Sequence, residues 1–77
     1  MKYYSETTGK EYESEEAVFY RNLTQSSWLL SKPDATLLDI FCDGGGKMVW
    51  VFPLTLHKKY IREWAERTRE NKDNNNG

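Results

Sequence analysis

The run Asp43-Gly44-Gly45-Gly46-Lys47 comes closest to a known chemical device, because consecutive glycines let backbone N–H groups approach an anion and a lysine can follow the phosphate. A phosphate loop also requires a strand before it, a helix after it, and Ser or Thr behind the lysine. Here Lys47 precedes Met48 and an apolar run, so the segment reads as a hairpin turn. Cys42, just before the turn, would be a reactive thiol only with a cation beside it, which Lys47 could supply; otherwise it is a small apolar residue. His57 is the only histidine, and no nucleophile or orienting carboxylate stands at a spacing that pairs with it, so it reads as exposed or helix-capping. One Cys and one His cannot close a structural zinc site. The expectation is a non-enzymatic chain with no catalytic residue, metal or cofactor.

Two clusters of charge remain. Glu11, Glu13, Glu15 and Glu16 lie close to Tyr3, Tyr4 and Tyr12. Aromatics are enriched in interface hot spots, and carboxylates around them would steer a basic partner, so these seven residues are the expected contacts to another protein. Lys58, Lys59, Arg62 and Arg69 could instead touch phosphate. The interleaved Glu63, Glu66 and Glu70 would repel a duplex, which makes a nucleic-acid partner the second reading. Residues 1–46 hold four basic and eight acidic side chains and residues 47–77 seven basic and four acidic, so the two halves carry opposite charge.

A chain of 77 residues has room for one domain with a marginal core. A lone cysteine forbids an internal disulfide, so eleven aromatics or self-association must supply the stability. A homodimer is expected, joined either along Met48–Phe52 or over the surface around Trp28. Met1-Lys2-Tyr3-Tyr4 runs straight into polar residues, and the longest apolar stretch is broken by Pro53. That reads as a cytoplasmic protein with no membrane contact.

The elements follow from periodicity. Residues 2–13 suit a polar edge hairpin turning at Gly9. Ser14 before Glu15-Glu16-Ala17 imitates a helix start, and a helix to about Gln25 or Ser26 would cover a sheet with Phe19, Tyr20 and Leu23. Ser26–Pro33 reads as a short strand or a plugging loop. Thr36, Ile40 and Phe41 favour a strand over 36–42, paired through the glycine turn with a strand over 47–53. Leu56, Tyr60, Ile61, Trp64, Ala65 and Thr68 then share one face of a helix over 55–70, with Ile61 and Trp64 on the sheet. The fold class is α+β: a small single domain over 1–70, in ββαββα order, with an antiparallel sheet and two helices packed on it. The run Asn-Lys-Asp-Asn-Asn-Asn-Gly over 71–77 reads as a disordered tail.

The stretch Tyr-x-x-x-Thr-Gly-Lys-x-Tyr-x-Ser-x-x-Ala, from Tyr4 to Ala17, resembles the hairpin-then-helix openings of small uncharacterised phage and prophage proteins of Gram-positive bacteria. The resemblance covers under a fifth of the chain and carries no functional residue. It implies a binder of a host factor, such as a phage-type modulator of a host or defence protein, or an accessory virion protein.

Overall fold

In the computed structural model the described residues are 1–75, with side chains placed through Arg69. Of the tail expected as disordered over 71–77, residues 71–75 instead continue the last helix, and the last two residues lie outside the described residues. The strands are β1 (Lys2–Tyr4), β2 (Glu11–Glu13), β3 (Ala17–Tyr20), β4 (Asp39–Cys42) and β5 (Met48–Pro53), and the helices are α1 (Leu23–Leu30) and α2 (Leu54–Asn75). The α+β class, the antiparallel pairing and the two helices stand as the sequence implied. One strand more is present than expected.

That strand is β3. Ser14–Glu16 makes only a single 3-10 turn, and Ala17-Val18-Phe19-Tyr20 leaves it in extended form. The Ser-Glu-Glu start signal is local, whereas β-branched Val18 and the two aromatics pair with β5 thirty or more residues away, Val18 opposite Phe52 and Tyr20 opposite Trp50. Tertiary pairing overrides the local signal. The helix begins instead at Leu23, where the Asn22 side chain accepts from the Gln25 N–H at 2.9 Å. Ser26–Leu30 therefore belongs to α1 and not to a strand or plug.

The sheet order is β3-β5-β4. β5 is central, paired with β3 over Trp50–Pro53 and with β4 over Met48–Val51, so on the β3 side only Met48 and Val49 lack a neighbour and little of Met48–Phe52 is left to join a second copy. Its alternation sends Phe52 to one face and Val49 and Val51 to the other. Phe52 packs with Leu29 and Leu56 beneath the helices, beside Val18, Tyr20, Leu37 and Trp50. Val49 and Val51 pack with Tyr12, Ala17 and Leu38.

Where α1 and α2 meet, Lys32 Nζ lies 4.3 Å from the Trp28 ring centroid and 3.2 Å from Glu63 Oε1. The Trp28 ring in turn stacks on Trp64 at 5.1 Å and edge-on to Tyr60. Trp64 thus packs on α1 and not on the strands, and Ile61 points to solvent at 37 % exposure. The helix turns its Leu56–Tyr60–Trp64 stripe inward, which leaves Ile61 beyond the sheet.

The N-terminal hairpin pairs Tyr3 with Tyr12 and turns through Gly9 at φ 73°. It does not join the larger sheet as an edge; it forms its own two-stranded ribbon, laid across the Val49–Val51 face.

Candidate protein-binding groove

The ribbon is held by side chains. Asp39, buried at the start of β4, accepts from Ser5 Oγ at 2.6 Å, Tyr12 OH at 2.8 Å and the Ile40 N–H at 2.8 Å. No cation is among these partners; three donors satisfy the carboxylate in its place. Burial first, and then the Asp39 carboxylate, pushes the Tyr12 phenol up to about 12. Thr7 and Thr8 hydroxyls donate to the Ile40 and Leu38 carbonyls at 3.2 and 2.7 Å, and Lys10 Nζ donates to the Leu37 carbonyl at 3.3 Å. The outer side of Ile40 and of the segment leading into β4 is thereby covered.

Between the ribbon and the start of α2 lies a groove of about 460 Å³, lined by Glu11, Tyr12, Glu13, Glu16, Leu38, Pro53, Leu54 and Thr55. Its base is apolar and its rim carries three carboxylates. Lys2 Nζ sits 3.2 Å from Glu11, and the N-terminal ammonium 3.4 Å from Glu13 and 2.8 Å from Glu15. The ammonium holds the Glu15 carboxyl below its usual range. Glu16 forms no ion pair among the described residues. These pairs are exposed and screened, so the rim keeps an excess of negative charge.

The expected protein contacts divide on burial. Glu11, Glu13 and Glu16 gather on one groove, while Glu15 points away to the N-terminus. Tyr3 and Tyr4 are exposed on the ribbon. Tyr12 is not: at 7 % exposure its ring packs on Val49 and Val51, with its hydroxyl on Asp39. Strand alternation accounts for this, since Tyr12 faces the sheet while Glu11 and Glu13 face outward. Sequence reasoning missed Asp39, although a lone carboxylate inside Leu37-Leu38-Asp39-Ile40-Phe41 is the kind of signal that marks a buried polar anchor.

The other candidates serve local structure. Asp43 Oδ1 accepts from the Gly45 and Lys47 N–H groups at 2.8 and 3.0 Å, so the turn's own carboxylate occupies the donors that a phosphate would need. Those two bonds hold the Asp43 carboxyl below the ordinary range. The Cys42 thiol rests 3.2 Å from the Met48 sulfur. His57 Nδ1 meets the Tyr20 hydroxyl at 2.6 Å, tying α2 to β3. No group of three or more metal-ligating side chains occurs among the described residues.

Of the basic residues, Lys59 donates to Asp34 Oδ2 at 2.6 Å while Tyr60 donates to Asp34 Oδ1, clamping the loop before β4 onto α2. Lys58, Arg62 and Arg69 lie at helical spacing on an exposed face of α2, and Arg62 and Arg69 line a shallow depression with Ile61, Ala65 and Glu66. Among the described residues no helix is long and apolar enough to cross a membrane. Comparison with known protein families, curated proteins and solved structures finds no match.

Proposed function

We propose that this chain is a non-enzymatic protein-binding module that acts in the cytoplasm as a phage-type modulator of a host or defence protein. Its groove takes an extended segment of the partner that combines an apolar side chain with a lysine or arginine. The observation that carries this reading is the apolar base of Tyr12, Leu38, Pro53 and Leu54 under a rim of Glu11, Glu13 and Glu16. Small polar-rimmed concavities of this kind bury one anchor and orient it by charge. Tyr3 and Tyr4 extend the contact along the ribbon. The test is capture of a partner from bacterial lysate by the wild-type chain and by the triple variant Glu11→Gln, Glu13→Gln, Glu16→Gln. The partner should associate more slowly with the variant at low salt, with the difference closing at high salt. Equal rates at every salt concentration, with the fold intact, would remove the groove from consideration.

The second reading is a nucleic-acid contact through Lys58, Arg62 and Arg69, which share an exposed face of α2. Binding to single- or double-stranded DNA that weakens steeply with salt supports it; no shift at low salt rejects it.

A further inference from the structure

The two edges of the three-stranded sheet are not equivalent. Thr7 covers the β4 edge at Ile40, and Thr8 and Lys10 cover the segment leading into it, whereas no backbone hydrogen bond reaches the outer side of Val18, Phe19 or Tyr20 among the described residues. Which groups stand open there follows from β5. The Val51 carbonyl accepts from the Leu38 N–H at 2.8 Å and so points to the β4 side. In an antiparallel ladder the N–H and C=O of one residue point the same way, so Phe19, opposite Val51, turns both of its groups outward. Ala17, two residues back, does the same, and its N–H is indeed bonded outside the ladder, to the Ser14 carbonyl. Phe19 N–H, Phe19 C=O, Ala17 C=O and Arg21 N–H therefore face solvent along one line.

We propose that β3 pairs antiparallel with β3 of a second copy, Phe19 opposite Phe19, making a twofold dimer with one continuous sheet. Phe19 N–H then donates to Phe19 C=O in both directions, and Arg21 N–H donates to Ala17 C=O in both directions. Sliding back to place Val18 opposite Val18 leaves only Phe19 N–H to Ala17 C=O, because Ser14 has already taken the Ala17 N–H. Sliding forward drives the second copy into α1 at Leu23 and brings the two Arg21 side chains together. Side chains agree with the chosen register: Phe19, exposed at 38 %, covers its symmetry mate, and Val18 faces Tyr20, a β-branched and aromatic pair of the kind that stabilises sheets. Charge selects a second copy over an arbitrary strand. Glu15 and Glu16 precede β3 and Arg21 follows it, so antiparallel self-pairing sets acid against base at both ends. The exposed Arg21 contact to Asp43, at 3.7 Å, is long enough to yield.

Sedimentation equilibrium from micromolar to millimolar concentration tests the proposal, with amide hydrogen exchange read on the same samples. The expected result is a mass that rises from 9.1 kDa toward twice that value, with Phe19 amide exchange slowing about tenfold or more as dimer forms. Phe19→Lys, which places charge on the edge and leaves the β5 ladder intact, should stay monomeric with an unchanged circular-dichroism spectrum. A mass of 9.1 kDa at millimolar wild-type protein overturns the proposal, as does a folded Phe19→Lys dimer or a dimer whose Phe19 amide remains unprotected. If Phe19→Lys fails to fold, wild-type mass and Phe19 exchange decide the matter alone.

Discussion

Replacing Tyr12 by Phe removes one oxygen and leaves the ring on Val49 and Val51. What is lost is the 2.8 Å hydrogen bond to Asp39. A hydrogen bond to a charged acceptor contributes about 1.5–3 kcal/mol, so Tyr12→Phe should lower stability near neutral pH by about 2 kcal/mol. The phenol is raised from 10.0 to about 12 in the fold, by burial first and then by the Asp39 carboxylate, so ionising it in the fold costs about 2–3 kcal/mol more than in the unfolded chain. Because the folded value lies above the unfolded one, this contribution is fully present below pH 10 and is lost as pH rises through about 12. Tyr20 and Tyr60 are also raised, by burial and by Asp34 respectively, and weaken the fold in the same window in both proteins. The decisive quantity is therefore the difference between wild type and Tyr12→Phe, from urea melts followed by circular dichroism across pH 7–12. It should begin near 2 kcal/mol, about 8–16 °C in melting temperature for a domain of this size, and close toward zero at the alkaline end. A difference that persists unchanged to pH 12, or one below about 0.5 kcal/mol at pH 7, would refute the Asp39 anchor.

Four further outcomes follow from the same geometry. Phe52→Ala, at a fully buried site, should cost about 3–5 kcal/mol in urea melts, whereas half-buried Trp64→Ala should cost about 1–2 kcal/mol; the reverse ranking would contradict the placement of Trp64 on Trp28. Ser26→Ala removes a buried hydroxyl that has no partner among the described residues, so it should leave stability unchanged or raise it by up to about 1 kcal/mol, and a clear loss would reveal a missing partner. Gly46, at φ 79°, should cost about 1–2 kcal/mol on replacement by Ala, measured in the same melts. The Asp34 carboxyl, held below its ordinary range by Lys59 first and then Tyr60, should titrate higher by NMR in Lys59→Met. Its stabilising effect is present above the ordinary carboxylate range and fades as pH falls through the lowered folded value.

The legible parts of the chain were those whose signal is local. The glycine turn followed by Met48–Phe52 announces β4 and β5, and Leu56, Tyr60 and Trp64 at helical spacing announce α2. The segment 14–26 misleads because its capping residues are adjacent while the partner of Ala17–Tyr20 lies on β5. Ile61 misleads because a helical stripe shows which residues share a face but not where the sheet beneath it ends. The acidic side chains of the groove were visible as charge, yet the groove itself was not, since Leu38, Pro53 and Leu54 come from distant segments. Tyr12 needed the pleat of a strand, and its contact to Asp39, to be placed inside.

The Asp39 anchor also decides what kind of assembly this chain can enter. A sheet with one open edge stops growing after two copies. If the ribbon lifted away, the β4 edge and the segment leading into it would lose Thr7, Thr8 and Lys10, Val49 and Val51 would be uncovered, and each protomer would present two pairing surfaces in place of one. Such protomers can add end to end without limit, the geometry of fibre growth. The buried Ser5–Asp39–Tyr12 bonds thus act as a safeguard against polymerisation, and conditions that weaken them, high pH above all, should favour aggregation before the helical core has melted.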